Sequence, residues 1–308
     1  MLKQLYISNG RLVEINGENI QPLVYIYIEP TEGEKKELVE KYNIDEHTLN
    51  SALDPDELSR LEFEPEHMAI IFKRPRHYSA EDNFLFKVTS TGAFMFHDKL
   101  IIVMSEEIHL FEGRLFLRVQ STQDILIKII HLSVFHFLEH LKAMNMLADS
   151  LEQLISTSME NKYLLNLFTL EKSLVYYYNA TNSNGGLIEK LKNNAAKIGF
   201  SHDNMEFLDD LTIENSQCRE QANVYSQVLA SLMDARASII ANNLNIRIMT
   251  LTLLTLAIML PTLVVSIFSM NVKLPLEQHE GMTSFWIISG LATSLTGAFV
   301  FFWRRKKL

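Results

Sequence analysis

Polar side chains recur at fixed spacing within an uncharged run near the carboxyl end of the chain, Ile248 to Phe268. Two series of residues, each with a spacing of seven, overlap in this run. They are Asn245, Thr252, Met259 and Ser266, and Ile248, Thr255, Thr262 and Ser269. In a helix, the two series are the alternating positions of a heptad and share one stripe. Hydroxyl and amide groups supply most of that stripe, whereas the other faces carry mainly Leu, Ile, Val and Ala.

The stripe has two interpretations. In the first, the Thr and Ser hydroxyls bond to their own helix backbone or hold neighbouring helices together. In the second, several copies of the helix place the stripe around a water-filled pore, because polar side chains in membrane helices face protein or water. At 1.5 Å per residue the run just spans a bilayer core of roughly 30 Å. The spacing favours the pore, and the first interpretation stays open.

A second apolar run follows at 283–303 and ends at a basic cluster, Arg304–Lys307. Trp286 and Trp303 lie towards its two ends, where interfacial aromatic residues are common. The sequence therefore predicts two membrane spans, 248–268 and 283–303, joined by a hairpin loop. Because basic residues stay on the cytoplasmic side of a membrane, we expect both termini in the cytoplasm and the loop outside.

The first span ends in a short motif, Ser269-Met270-Asn271, followed by an acidic loop, the second span and a basic tail. This arrangement resembles the CorA family of divalent-cation channels, whose signature at this place is Gly-Met-Asn. Leu232–Asn245 is similar to the family's stalk, and Pro261–Phe268 resembles the run before the signature. The match to the signature is two of three, since Ser269 stands where the family has Gly.

The resemblance implies a homopentameric channel in the cell's inner (plasma) membrane, surrounded by lipid and without enzyme activity or a covalently bound cofactor. Mg²⁺ is the favoured ion, as substrate and possible regulator, and Co²⁺ or Ni²⁺ are further substrates. Two alternatives stay open: a Zn²⁺ transporter of the ZntB branch, which also departs from the signature, and a non-conducting, membrane-anchored scaffold. The resemblance implies pore-lining positions at Asn245, Leu251, Thr255, Met259 and Thr262, and the stripe adds Ile248, Thr252 and Ser266.

The same resemblance makes Ser269, Met270 and Asn271 the selectivity mouth of the pore. Mg²⁺ gives up its water reluctantly, so a mouth that selects it should bind the hydrated ion. A ring of Asn271 amides can do this by hydrogen bonding to the ion's water without holding the ion too tightly. Glu277 and Glu280 in the loop would raise the local cation concentration.

Two carboxylates near the start of a long helix, predicted below from Ser201 to Phe268, form a second candidate site. Asp209 and Asp210 are adjacent and supply hard oxygen ligands suited to Mg²⁺. The resemblance places Asp210 where the family binds a regulatory cation between subunits, with Glu81 or Asp82 as the expected partner carboxylate. The simpler interpretation is a solvated helix start that the helix dipole favours.

One sequence resembles a metalloprotease motif. His136–His140 matches His-x-x-Glu-His, the inverzincin pattern, and two His residues four apart on a helix can face one metal ion. The motif is short and lies in an apolar amphipathic run with nothing to indicate a cleft. We interpret these residues as structural or surface histidines.

The charge distribution disfavours nucleic acid as a partner. The formal net charge is −9, and residues 247–308 carry six basic and two acidic side chains, which leaves −13 for the remainder. A cytoplasmic part with this much negative charge repels nucleic acid, which is also anionic, and suits a protein that handles cations. Cys218 is the only cysteine, so the chain has neither an intrachain disulfide nor a cysteine-based zinc site.

The pattern predicts an α+β cytoplasmic domain over 1–120, a long-helix stalk over 121–246 and a transmembrane hairpin over 247–308, assembled into an oligomeric funnel. In the first part, strands are predicted in LVYIYIE, MAIIFKRP, NFLFKVTSTGAFMF and KLIIVMS, and less clearly in LFLRV. A capping box of Thr31 and Glu34 begins one helix, and 45–53 forms another.

Beyond residue 121 the chain is expected to be helical, with one clear loop at 179–186, NATNSNGG. From Ser201 to Phe268 neither Gly nor Pro occurs except Pro261, which predicts one helix of about 68 residues. A helix this long cannot bury its face against a small domain, so it needs partner copies.

Overall fold

The computed structural model describes residues 1–15, 20–107, 111, 114–157, 161–270 and 281–306. The chain forms two compact units, Met1–Met233 and Asp234–Leu308. The first unit holds a mixed sheet with helices on both of its faces. The second holds the end of the longest helix and one further helix.

Seven strands form one sheet in the first unit. They are β1 (Leu2–Ser8), β2 (Arg11–Glu14), β3 (Val24–Ile28), β4 (Arg60–Phe63), β5 (Met68–Pro75), β6 (Val88–Met95) and β7 (Leu100–Met104). Their order is β2-β1-β3-β7-β6-β5-β4, with β3 and β7 parallel and the other neighbours antiparallel. The four clear strand predictions are confirmed as β3, β5, β6 and β7.

Two features of this region differ from expectation. The sequence analysis did not predict strands β1, β2 and β4. These strands lie towards the edges of the sheet, and their part-exposed residues do not alternate clearly between apolar and polar. The prediction of a strand in LFLRV was wrong, since Arg114–Leu117 is a 3-10 helix. These four residues form a single helical turn. After the turn, the Val119 N–H donates to the carbonyl of Gly10 at 2.8 Å.

The helices have the following bounds: α1 (Glu32–Tyr42), α2 (Glu46–Leu53), α3 (Thr122–Thr157), α4 (Asn161–Asn193), α5 (Ala195–Ile198), α6 (His202–Phe268) and α7 (Gly281–Lys306). The capping box of α1 is confirmed, with Glu34 N–H donating to Thr31 Oγ1 at 3.3 Å and Thr31 N–H donating to Glu34 Oε2 at 2.8 Å. The long helix is confirmed as α6, which has 67 residues and contains Pro261.

Alternating side chains bury both faces of the sheet. In β7, Ile101 and Val103 lie in a cluster with Leu38 of α1 and Leu49 of α2. The intervening residues, Leu100, Ile102 and Met104, belong to a larger cluster that helices α3, α4 and α6 complete. The sheet and these three helices therefore share one core, stabilised by the removal of apolar surface from water.

The prediction of a loop at 179–186 was wrong, because this stretch lies inside α4. Its composition is unfavourable for a helix, but two of its polar side chains, Thr181 and Asn184, are buried and hydrogen-bonded. Thr181 Oγ1 donates to the Tyr177 carbonyl at 2.8 Å, and Asn215 Nδ2 of α6 donates to the Thr181 carbonyl at 2.9 Å. Tertiary contacts of this kind outweigh intrinsic propensity.

The most extensive of these contacts involves Asn184 and strand β5. The pairing of β4 with β5 ends at Arg60 and Ile71, which leaves the edge of β5 without a neighbouring strand at Lys73. Asn184 takes that place: Lys73 N–H donates to its Oδ1 at 2.8 Å, and its Nδ2 donates to the Lys73 carbonyl at 2.8 Å. The side-chain amide therefore acts as one peptide group of the missing strand, inside a region where unpaired backbone groups are costly.

Asn184→Ala should lower the stability of the first unit. The Lys73 N–H would lose its partner while staying buried, which costs about 2 to 3 kcal/mol. We expect the thermal unfolding midpoint of the full-length protein in detergent to fall by several degrees. Asn182→Ala is the matched control, because Asn182 is exposed on the same helix. Equal midpoints for the two variants would show that Asn184 does not stabilise the sheet edge.

Candidate ion pathway and cation-binding residues

Within the part of the chain that the structure describes, two helices are long and apolar enough to cross a membrane. They are the apolar part of α6 and the segment Met282–Arg305 of α7, and only 6% of each apolar stretch is buried in the single chain. Exposed apolar surface of this extent marks contact with lipid or with other protein chains. The surroundings of these two helices are therefore lipid, further copies of the chain, or both.

The polar stripe of α6 lies opposite the covered side of the same helix. All eight predicted pore-lining residues are exposed in the single chain. The covered positions of this stretch are Met249, Leu253, Ala257, Leu260, Pro261, Val264 and Phe268. At about 100° per residue, the centres of the two sets are about 160° apart around the helix axis. The stripe is thus free to face something other than the second unit itself.

The hydroxyls of the stripe are bonded to their own helix. Thr252, Thr255 and Thr262 each donate through Oγ1 to the carbonyl four residues earlier, at 2.9, 2.9 and 2.8 Å. These bonds are the ones that the first interpretation of the stripe expects. A hydroxyl oxygen that donates still has acceptor capacity, so each can also receive a hydrogen bond from water. The two interpretations therefore do not exclude each other.

The mouth motif begins in a turn that continues the helix. Ser269 N–H donates to the Val265 carbonyl at 3.0 Å, and Ser269 Oγ donates to the Ser266 carbonyl at 3.0 Å. The φ angle of Ser269 is not in the positive range that favours glycine. Serine therefore fits here without the backbone strain that a position requiring glycine would impose. Met270 is exposed, and Asn271 lies outside the described residues, as do Glu277 and Glu280.

The two aspartates at the start of α6 differ in their surroundings. Both are exposed, but Asp209 Oδ1 lies 2.5 Å from Lys192 Nζ at the end of α4. Asp209 would have to leave this ion pair to bind a metal ion, so Asp210 is the better candidate ligand. The ion pair thus gives a structural reason to prefer Asp210, the residue that the resemblance had already singled out.

The expected partner carboxylates lie in a 3-10 helix, Ala80–Asp82, between β5 and β6. The Ser79 N–H and hydroxyl donate to Asp82 Oδ2 at 2.8 and 3.0 Å, and the backbone hydrogen bond in particular lowers the pKa of Asp82. Among the described residues of one chain, no group of three or more His, Cys, Asp or Glu side chains could hold a metal ion. A site that joins Asp210 to Glu81 or Asp82 stays a prediction.

The metalloprotease pattern has a structural explanation. His140 Nδ1 lies 2.7 Å from Tyr177 Oη, and its ring meets Phe86 edge to face with centroids 5.5 Å apart. Burial lowers the pKa of His140 to about 4, so the ring is neutral at pH 7. Burial lowers the pKa of His136 as well. The His140 ring thus packs between α3 and α4, where it contacts Tyr177.

A polar groove in the first unit was not predicted. Its volume is about 980 Å³, and it lies between the stretch after α2, strands β5 and β6, and one face of α4. Its charged lining residues are Asp56, Lys73, Arg76, Lys87 and Lys190. The signal in the sequence was the run NATNSNGG, which forms part of the wall and was interpreted as a loop.

Comparisons with known proteins agree with this architecture. A family model described as "CorA-like Mg2+ transporter protein" matches residues 24–306. The Cobalt/magnesium transport protein CorA of Methanocaldococcus jannaschii is 25% identical over 310 residues, which cover 97% of this chain and 95% of that protein. The complete structure of the CorA magnesium transporter from the same organism has a TM-score of 0.82 at 22% identity, covering 99% of this chain and 96% of that chain.

Two more distant structures share the fold. The full-length CmaX protein has a TM-score of 0.75 at 13% identity and covers 100% of this chain and 98% of that chain. The ZntB cytoplasmic domain from Vibrio parahaemolyticus has a TM-score of 0.60 at 13% identity and covers 78% of this chain and 98% of that chain. The family model spans the soluble unit and both apolar helices, which confirms the resemblance seen in the sequence. This chain therefore belongs to the CorA-like family of membrane-embedded divalent-cation transporters, which are not enzymes.

Proposed function

We propose that this protein is a homo-oligomeric channel that admits Mg²⁺, and Co²⁺ as a second substrate, through a pore lined by the stripe of α6. The observation that carries the proposal is the position of the stripe, which is exposed in the single chain and opposite the covered side of its helix. Several copies can then close around water, while lipid covers the remaining apolar surface. Five copies are the expected number in this family.

The proposed pore selects for a hydrated ion. Asn271 of each copy would form a ring of amide oxygens that accept hydrogen bonds from the water around Mg²⁺. Along the stripe, hydroxyl oxygens of Thr262 and Thr255 offer further acceptors. Met259 lies between Thr262 and Thr255 along the helix, and Leu251 follows Thr255. Apolar side chains of several copies at these two levels can close the path by excluding water. The pore would therefore attract the ion at its polar levels and gate at its apolar ones.

The orientation follows from charge. The basic cluster Arg304–Lys307 after the second span favours a cytoplasmic carboxyl end, and with two spans the first unit would lie on the same side. Glu277 and Glu280 then lie outside, where they raise the concentration of cations at the mouth. The protein is thus proposed to sit in the cell's inner membrane with its acidic soluble part inside.

Ion flux into proteoliposomes tests this function directly. Mg²⁺, Co²⁺, Ni²⁺ and Zn²⁺ would be compared with a fluorescent indicator inside the vesicles and protein-free vesicles as control. Mg²⁺ and Co²⁺ uptake is the expected result, in keeping with the relative's name. Preferred uptake of Zn²⁺ would favour the ZntB alternative. Absence of uptake for all four ions would leave a membrane-anchored scaffold.

Asn271→Ala should reduce Mg²⁺ flux at least tenfold. The change removes one amide from every copy, so several hydrogen bonds of about 1 kcal/mol each to the hydrated ion are lost, and about 1.4 kcal/mol corresponds to tenfold. The mass of the oligomer in mild detergent should stay unchanged. Ser269→Gly is the companion variant and should leave flux equal or higher, since Ser269 has an ordinary backbone conformation. Full flux through Asn271→Ala with the oligomer intact would contradict the proposed mouth.

Asp210→Asn should make flux less sensitive to Mg²⁺ inside the vesicle. If Asp210 helps to bind a regulatory Mg²⁺ between copies, losing its charge weakens the closed state by lowering the affinity of that site. The matched variant is Asp209→Asn, which removes the same charge but from the ion pair with Lys192. The inhibition curve should shift more for Asp210→Asn than for Asp209→Asn. Equal curves for wild type and Asp210→Asn would place the regulatory site elsewhere.

A further inference from the structure

Cationic side chains outnumber carboxylates among the described residues that line the polar groove, although residues 1–246 carry a net charge of −13. Four cationic residues line it, and Asp56 is the one carboxylate among its described lining residues. Arg76 donates through Nε to Glu106 at 3.1 Å. Lys87 and Lys190 have no carboxylate within 4 Å among the described residues. Asp54, Asp56 and Glu57 lie near Lys73. Lys87 and Lys190 are therefore the lining cations most open to an anionic ligand, one at each end of the groove.

Lys73 lies in the wall of this groove and is almost fully buried, at 5% exposure. Its Nζ donates to the Pro55 carbonyl at 2.7 Å and to Ser90 Oγ at 3.0 Å. An ammonium group has three donors, so one remains for a ligand. A charged donor in such a partly desolvated place interacts with an anion more strongly than a fully solvated lysine would.

One face of α4 forms the opposite wall. Its lining residues recur at intervals of three or four, which places them on one side of the helix. In chain order they include Tyr176, Asn179, Ser183, Gly186 and Lys190. The wall therefore runs from an exposed aromatic ring, through amide and hydroxyl groups, to a cation. Such a series suits a ligand that has a flat ring at one end and negative charge at the other.

Two adjacent glycines of α4 differ in their surroundings, and only Gly186 lines the groove. Glycine inside a helix costs about 1 kcal/mol relative to alanine. At Gly185 packing explains the choice, since a Cβ would lie 3.2 Å from Asn215 Nδ2. At Gly186 a Cβ would meet nothing within 4 Å. The fold does not require glycine there, but the absence of a side chain keeps the groove open.

We propose that this groove binds a soluble organic phosphate of nucleotide size, with its phosphates between Lys73 and Lys190 and its ring at the other end of the groove, against Tyr176 and near Lys87. The volume of about 980 Å³ is at the upper end of the range typical of small-molecule sites, roughly 300 to 1,000 Å³, and leaves room beyond a phosphate group. The groove lies wholly within the first unit. The proposal therefore does not depend on ion conduction.

Titration of full-length protein in detergent with ATP tests the proposal, using calorimetry in buffer without divalent metal. Wild type should bind ATP saturably, with one site per chain. The variant Lys190→Gln should bind at least tenfold more weakly, because a charge-assisted contact to the phosphates is lost. The matched control, Lys142→Gln, makes the same change of charge at an exposed lysine outside the groove and should bind as wild type does.

Gly186→Leu is the second variant, since it fills the groove without changing its charge. Leucine favours helix over glycine, so the unfolding midpoint should not fall, while ATP binding should be lost. Orthophosphate should bind at least tenfold more weakly than ATP, because it cannot use the Tyr176 end. No saturable ATP binding by wild type, equal weakening in the control lysine variant, or undiminished binding by Gly186→Leu would each overturn the proposal. Orthophosphate binding as tight as ATP would overturn the nucleotide-sized ligand.

Discussion

The constraint on which the rest depends is that α6 carries a polar stripe along a helix whose other faces are apolar. Backbone bonds satisfy the donors of Thr252, Thr255 and Thr262, but their oxygens stay exposed in the single chain. Lipid offers these oxygens no hydrogen bonds, so protein or water is the more favourable neighbour for the stripe. Further copies of α6 around water would supply such a neighbour on the side opposite the covered face. The proposed assembly and conduction both rest on this constraint.

In the soluble unit, a sheet and long helices share one hydrophobic core. Strand β4 is too short to cover β5, and the side-chain amide of Asn184 completes the ladder at Lys73. That contact brings a polar, glycine-containing part of α4 against the sheet edge and leaves its outer face beside the groove. The same few residues of α4 thus stabilise the fold and shape a cavity, which explains their unusual composition for a helix.

The sequence predicted the features that depend on local order. The capping box at Thr31, the buried strands and the long helix are each encoded by residues close together, and so is the period of seven in the stripe. The misassigned loop at 179–186 shows the limit, because Asn184 bonds to Lys73 at a distance of 111 residues along the chain. The ion pair of Asp209 with Lys192 is likewise invisible without the fold. Asn271, which the motif makes important, lies outside the described residues, so its role rests on sequence alone.

The most direct measurement of the central claim is the reactivity of single cysteines towards a charged, membrane-impermeant thiol reagent. The native Cys218 is buried and burial raises its pKa to about 12, so the wild type should be silent. Thr255→Cys lies on the stripe and Leu254→Cys beside it, and both positions are exposed in the single chain. The account predicts that Thr255→Cys in proteoliposomes reacts and loses Mg²⁺ flux, whereas Leu254→Cys faces lipid and does neither. Faster reaction at Leu254→Cys, or protection of Thr255→Cys, would contradict a water-filled pore along this stripe.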